Sequence, residues 1–139
     1  MGVTRAIASA AVLLTAVGAA EAAVPGAAQA AGAATNARTI RLVLTVAKGE
    51  STVPAQQRAS LTCQPAGGSH KQARTACAEL AKVGGRFDRL QLAGGACTMV
   101  YDPVTVTASG RWKGRKVAYQ HTFGNACTLT TTTGAVFSF

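Results

Sequence analysis

Acidic side chains are scarce in this 139-residue sequence: 5 Asp and Glu stand against 14 Lys and Arg, for a net charge of +9. Past the first quarter of the chain the acids are Glu50, Glu79, Asp88 and Asp102, too thin a set for paired-carboxylate hydrolysis. The G-x-S-x-G nucleophile elbow, the H-E-x-x-H helix and phosphate-cradling glycine loops are absent as well. The glycine pairs at 67–68, 84–85 and 94–95 read as turns. His70 and His121 are the only histidines, and no cysteine pair has C-x-x-C spacing, which argues against zinc. No cofactor or metal is implied, and the chain reads as a non-enzyme. Aromatic residues make up 5%, without the basic–aromatic interleaving of nucleic-acid-binding strands. The run Arg111-Trp112-Lys113-Gly114-Arg115-Lys116 carries one stacking aromatic but is read as a solvated hairpin. Its charge attracts acidic surfaces, which speeds encounter more than it sets affinity.

No apolar run reaches the roughly 20 residues of a spanning helix, so no membrane association is expected. The N-terminal run Ala6 to Ala20 follows Arg5 and precedes Ala28-Gln29-Ala30. Charge, short apolar core and small-residue site together form a secretory leader, with Ala20-Glu21-Ala22 as a second cleavage candidate. The expected organisation is a signal peptide over 1–30, a flexible segment over 31–38 and one folded domain over 39–139. The protein is expected outside the cell. There Cys63, Cys77, Cys97 and Cys127 read as two disulfides, in any of three connectivities.

Thr39 to Ala47 alternates Ile40, Leu42, Leu44 and Val46 against Arg41, Val43 and Thr45, the pattern of a half-buried strand. Arg58 to Gln64 is a second strand, with Leu61 and Cys63 on one face. Ser69 and Gln72 are spaced as a capping box ahead of a helix with Ala73, Cys77, Leu80 and Ala81 inward. Phe87 to Leu92 reads as a short helical turn. Val104 to Ser109 and Arg115 to Phe123 alternate as a hairpin around a 110–114 connector, and Val136 to Phe139 reads as a last strand. The fold class is α+β: a five-stranded antiparallel sheet, one main helix and a second short one. On spacing alone, Met99 in Cys97-Thr98-Met99-Val100-Tyr101-Asp102-Pro103 reads as a gap-filling core residue in a strand that runs into a turn.

These segments carry a resemblance. Leu42-Val43-Leu44-Thr45-Val46 with Lys48-Gly49, Ala76-Cys77-Ala78-Glu79-Leu80 with Val83-Gly84-Gly85, Cys97 through Val104, and Phe123-Gly124-Asn125-Ala126-Cys127 are similar to the Streptomyces subtilisin inhibitor family. The resemblance implies disulfides Cys63–Cys77 and Cys97–Cys127 and a homodimer joined through the sheet. It also implies inhibition of serine proteases, chiefly subtilisin-like and secondarily chymotrypsin-like. The reactive bond would be Met99–Val100, with Ala96, Cys97, Thr98 and Tyr101 in contact with the protease and Asn125 and Cys127 supporting the loop. Thr98 stands where relatives commonly carry proline, and Ala96 where they carry a larger apolar residue, so a weaker grip on subtilisin is expected. The alternative is a secreted basic interaction module without inhibitory activity.

Overall fold

The computed structural model describes residues 38–92 and 94–139. The leader expected over 1–30, and all of the 31–38 segment except Arg38, lie outside the described residues. Four strands form one antiparallel sheet: β1 (Ile40–Lys48), β2 (Gln57–Cys63), β3 (Val104–Trp112) and β4 (Arg115–Phe123), in the order β2-β1-β3-β4. Helix α1 (Ala73–Lys82), a 3-10 turn (Phe87–Arg89) and helix α2 (Ala126–Thr133) complete the elements.

Period-two alternation puts Ile40, Leu42, Leu44, Ala59, Leu61, Val106 and Ala108 on one buried face, as side chains on a pleated strand require. Ala76 and Leu80 of α1, Phe87, Leu129 of α2 and the C-terminal Val136 and Phe137 close over that face. The opposite face carries Arg41, Val43 and Thr45 beside Ser60, Thr107 and Ser109, and Val43 is only half-buried there. The Cys63–Cys77 disulfide, with Cα atoms 5.7 Å apart, fastens α1 to the edge strand β2.

Local chemistry departs from the sequence reading in five places. Ser69 does not cap α1: its hydroxyl accepts from the Ser60 amide at 2.9 Å, and Ser60 Oγ lies 3.0 Å from the Ser69 amide. The helix starts at Ala73, Gln72 makes no side-chain cap, and Ala81 is exposed. His70, expected in solvent, is 4% exposed. Its Nδ1 accepts from the Gln72 amide and its Nε2 lies 3.1 Å from the Val136 carbonyl. The backbone donor at Nδ1 thus selects the neutral tautomer with the proton on Nε2. Trp112 is buried at 5% exposure, so it is not a stacking surface. The hairpin connector is two residues, Lys113 and Gly114, with φ of 47° and 82°, the paired positive φ that suits strand twist.

The fifth departure is the sheet and helix count. The sheet has four strands among the described residues, not five. Val136 to Phe139 follows α2 as a turn, with Val136 N–H donating to Thr133 O and Ser138 N–H to Ala135 O. Val136 and Phe137 are both buried against the core, and neither pairs with a strand of the sheet. A second full helix, α2, stands where no element was expected. Its sequence ACTLTTTT is poor in helix formers, so local and tertiary bonds must hold it. Asn125 and Thr128 form a reciprocal capping box. Thr130, Thr131 and Thr133 hydroxyls return to carbonyls four residues back at 2.9–3.0 Å, while Leu129 and Thr133 are buried.

Gly85, at φ 71°, lies against the Trp112 indole so closely that an added Cβ would overlap the ring, whereas a Cβ on Gly84, at φ 62°, would meet open space. Gly84→Ala should cost only backbone strain, about 1 kcal/mol, and Gly85→Ala about 2–4 kcal/mol because overpacking adds to it. Denaturant unfolding followed by the fluorescence of Trp112, the single tryptophan, checks the difference.

Candidate functional site

Large apolar side chains normally leave water, since burying one contributes about 1.5–3 kcal/mol. Three consecutive residues forgo that gain: Met99 is 97% exposed, and Val100 and Tyr101 are each 66% exposed. The core position that spacing favoured for Met99 is therefore corrected: its side chain stands in solvent. The segment 94–103 belongs to no helix or strand. It lies at the end of the sheet where β1 stops, β3 starts and β4 runs into α2.

That segment is nevertheless tied down from both sides. Cys97 is bonded to Cys127, with Cα atoms 5.7 Å apart, and Cys127 is the second residue of α2. Asn125, the helix cap, uses every polar atom of its amide. Its Oδ1 accepts from the Thr128 amide at 2.9 Å. Its Nδ2 donates to the Thr98 and Val100 carbonyls, both at 3.0 Å. The amide's orientation follows from chemistry, because only the oxygen can accept from a backbone N–H. One side chain thus bridges the two carbonyls that flank Met99.

On the far side, the Asp102 amide donates to Gly124 O at 2.9 Å and the Gly49 amide to Pro103 O at 2.7 Å. Thr105 Oγ1 donates to Gly49 O at 2.7 Å. The Tyr101 hydroxyl donates to the Glu50 carboxylate, which pushes the Tyr101 phenol above its ordinary 10.0. Lys48 Nζ approaches Asp102 Oδ1 at 3.7 Å in solvent, a pair worth under about 1 kcal/mol.

The structure thus brings Ala96, Cys97, Thr98, Met99, Val100 and Tyr101 together with Asn125 and Cys127, while Cys63 and Cys77 sit apart on β2 and α1. Glu50, Gly49, Gly124 and Thr128 were not singled out in the sequence. Glu50 reaches Tyr101 across 51 positions, a contact only strand register can create. Thr128 had a readable signal, as the third residue after an Asn at a cap position. The remaining titratable groups lie elsewhere: Glu79 accepts from the Ala135 amide at 2.8 Å, and His121 rests beside Phe123 on β4. Among the described residues no three His, Cys, Asp or Glu side chains could share a metal ion.

Residues 38–125 match the family model described as subtilisin inhibitor-like. Subtilisin inhibitor-like protein 5 of Streptomyces fradiae is 52% identical over 102 residues, covering 70% of this chain and 95% of that one. Plasminostreptin of Streptomyces antifibrinolyticus is 45% identical over 102 residues, covering 70% and 94%. Streptomyces caespitosus sermetstatin, solved in complex with Bacillus licheniformis subtilisin, superposes with a TM-score of 0.62 at 36% identity, covering 71% of this chain and 97% of that one.

Two outcomes follow from these contacts. Asn125→Asp keeps the cap acceptor and loses both loop donors, whereas Asn125→Ala loses all three. Both should raise backbone mobility at 98–100 in NMR order parameters, but only the alanine variant should lose about 1 kcal/mol of helix stability. Tyr101 and Tyr119, the only tyrosines, both have phenols pushed up, Tyr119 by burial and then by Asp88. A folded-state value above the unfolded one favours the fold below pH 10, and that contribution is lost as pH rises through the shifted value. Phenolate absorbance should therefore appear at higher pH in folded than in unfolded protein.

Proposed function

The chain belongs to the subtilisin inhibitor-like family, and we propose that it is a secreted, substrate-like inhibitor of serine endopeptidases whose bait is the Met99–Val100 bond. The observation that carries this reading is an exposed Met99 between two carbonyls held by one asparagine, on a segment bonded covalently to a helix. Homologues of the chain are protease inhibitors, and a structural neighbour is held by subtilisin. Two disulfides suit an oxidising compartment outside the cell.

A protease takes its substrate as an added strand, with main-chain bonds for affinity and pockets for alternate side chains. Residues 96–101 supply that strand, and Met99 fills the pocket before the scissile bond. A free hexapeptide loses conformational freedom on binding; here the disulfide and Asn125 have already removed much of it. Attack on the Met99 carbonyl can proceed to cleavage. The new ends are then retained, one by Cys97 and the other by Asn125, Gly124 and Glu50 acting on Val100, Asp102 and Tyr101. Religation consequently competes with release.

Met99 fits a large apolar pocket, of subtilisin-like enzymes first and chymotrypsin-like enzymes second, and lacks the charge of a trypsin substrate. Ala96 offers little side chain to the protease, so affinity rests on Met99, Thr98 and the primed side. The open face around Val43 would join two copies as a homodimer. Val43→Arg should then yield monomers in sedimentation equilibrium.

The direct test is titration of subtilisin and chymotrypsin with refolded protein, followed by N-terminal sequencing of any nicked product. Stoichiometric inhibition with a new terminus at Val100 is expected. Met99→Lys should lose at least about 30-fold against subtilisin, the scale of a central anchor residue, and gain against trypsin. Absence of inhibition at micromolar protein would leave a basic interaction module.

A further inference from the structure

Mild oxidants act on the sulfur of methionine and of free cysteine before other side chains. In the folded part of this chain that choice is narrow. The four cysteines are joined as Cys63–Cys77 and Cys97–Cys127, and none is free among the described residues. The sequence holds two methionines: Met1 begins the expected leader, and the other is Met99. Among the described residues Met99 is therefore the only thioether, and it is 97% exposed. Trp112, the single indole, is buried.

The contacts that hold the loop do not use this side chain. Asn125 grips the Thr98 and Val100 carbonyls, Cys97 is bonded to Cys127, and the Asp102 amide donates to Gly124 O. Each stays in place whatever the chemical state of the Met99 sulfur. Adding oxygen there leaves the loop displayed as before and changes only the group it displays. A sulfoxide is polar where the thioether is apolar. Inside a large apolar pocket its oxygen loses water and finds no donor, the costly case for a buried polar group.

We propose that Met99 is an oxidative modification site that switches the inhibitor off, with hydrogen peroxide or an alkyl hydroperoxide as the oxidant. With hydrogen peroxide, the sulfur lone pair attacks one oxygen, and the S–O bond forms as the O–O bond breaks. The proton on the transferred oxygen passes to the departing hydroxide. Sulfur loses two electrons, and the peroxide leaves as water. The reverse step takes two thiols, which become a disulfide while the oxygen leaves as water, and methionine sulfoxide reductases catalyse it for each sulfoxide epimer. This switch rests on the inhibitory reading, with Met99 placed before the scissile bond.

The test treats purified protein with hydrogen peroxide until peptide mass spectrometry shows Met99 fully converted. Peroxide is removed before subtilisin is titrated. Inhibition should weaken at least about tenfold, the scale of a buried polar group left unpaired, while the denaturant midpoint read from Trp112 fluorescence stays unchanged. Reductases for both epimers, with their thiol reductant, should restore inhibition with the disulfides intact. Met99→Leu, compared with itself before and after peroxide, should show no change. Equal weakening of Met99→Leu would overturn the proposal, because oxidation would then act elsewhere. A lowered midpoint in the oxidised protein would overturn it in favour of structural damage. Unchanged inhibition by fully converted protein would overturn the switch alone, whereas no inhibition before treatment would remove the inhibitory reading and the switch together.

Discussion

A single amide group connects the helix to the loop. Asn125 closes the first turn of α2 through Oδ1 and holds the Thr98 and Val100 carbonyls through Nδ2, so the position of the loop is inherited from the helix. The helix in turn depends on that residue, because its Thr-rich sequence would not form a stable helix in isolation. The cap, the Cys97–Cys127 bond and the buried Leu129 therefore act as one unit. Loosening any of them releases the segment that presents Met99.

This arrangement explains how an apolar residue can stand in water without collapsing inward. A flexible loop would fold Met99 onto the surface and recover part of about 1.5–3 kcal/mol. Here the backbone on either side is already bonded, to Asn125 on both carbonyls and to Gly124 beyond, and the Tyr101 side chain is bonded to Glu50. The stored exposure is then available to a partner whose pocket takes the side chain. Preorganisation lowers the entropic cost of association, and under the proposed mechanism the same contacts would keep the two ends together after cleavage. Rigidity would then serve binding and religation alike.

Much of this was legible in the sequence, though unevenly. The strands showed because alternation of Ile40, Leu42 and Leu44, or of Val106 and Ala108, follows burial on one face, although Thr105 on the other face of β3 is buried as well. The loop's importance came from resemblance alone, since spacing placed Met99 in the core. Helix α2 was hidden because threonine favours strands, and its stabilisation comes from hydroxyl-to-carbonyl bonds and a cap that composition does not reveal. Ser69 was misread for a related reason: a serine at cap spacing found a partner across the chain in Ser60. The primed-side contacts of Glu50 and Gly49 depend on β1 meeting β3 across more than 50 residues, and no local pattern encodes that.

The central claim is that the fold, rather than the peptide bond, keeps Met99 and Val100 together. Purified protein nicked at that bond, incubated with a catalytic amount of subtilisin, measures it directly. If the loop contacts hold the new ends in place, intact chain should reappear and approach a mixture in which it is a substantial fraction, reached equally from the intact side. Continued loss of the nicked form to smaller fragments, with no intact chain regained, would contradict the account.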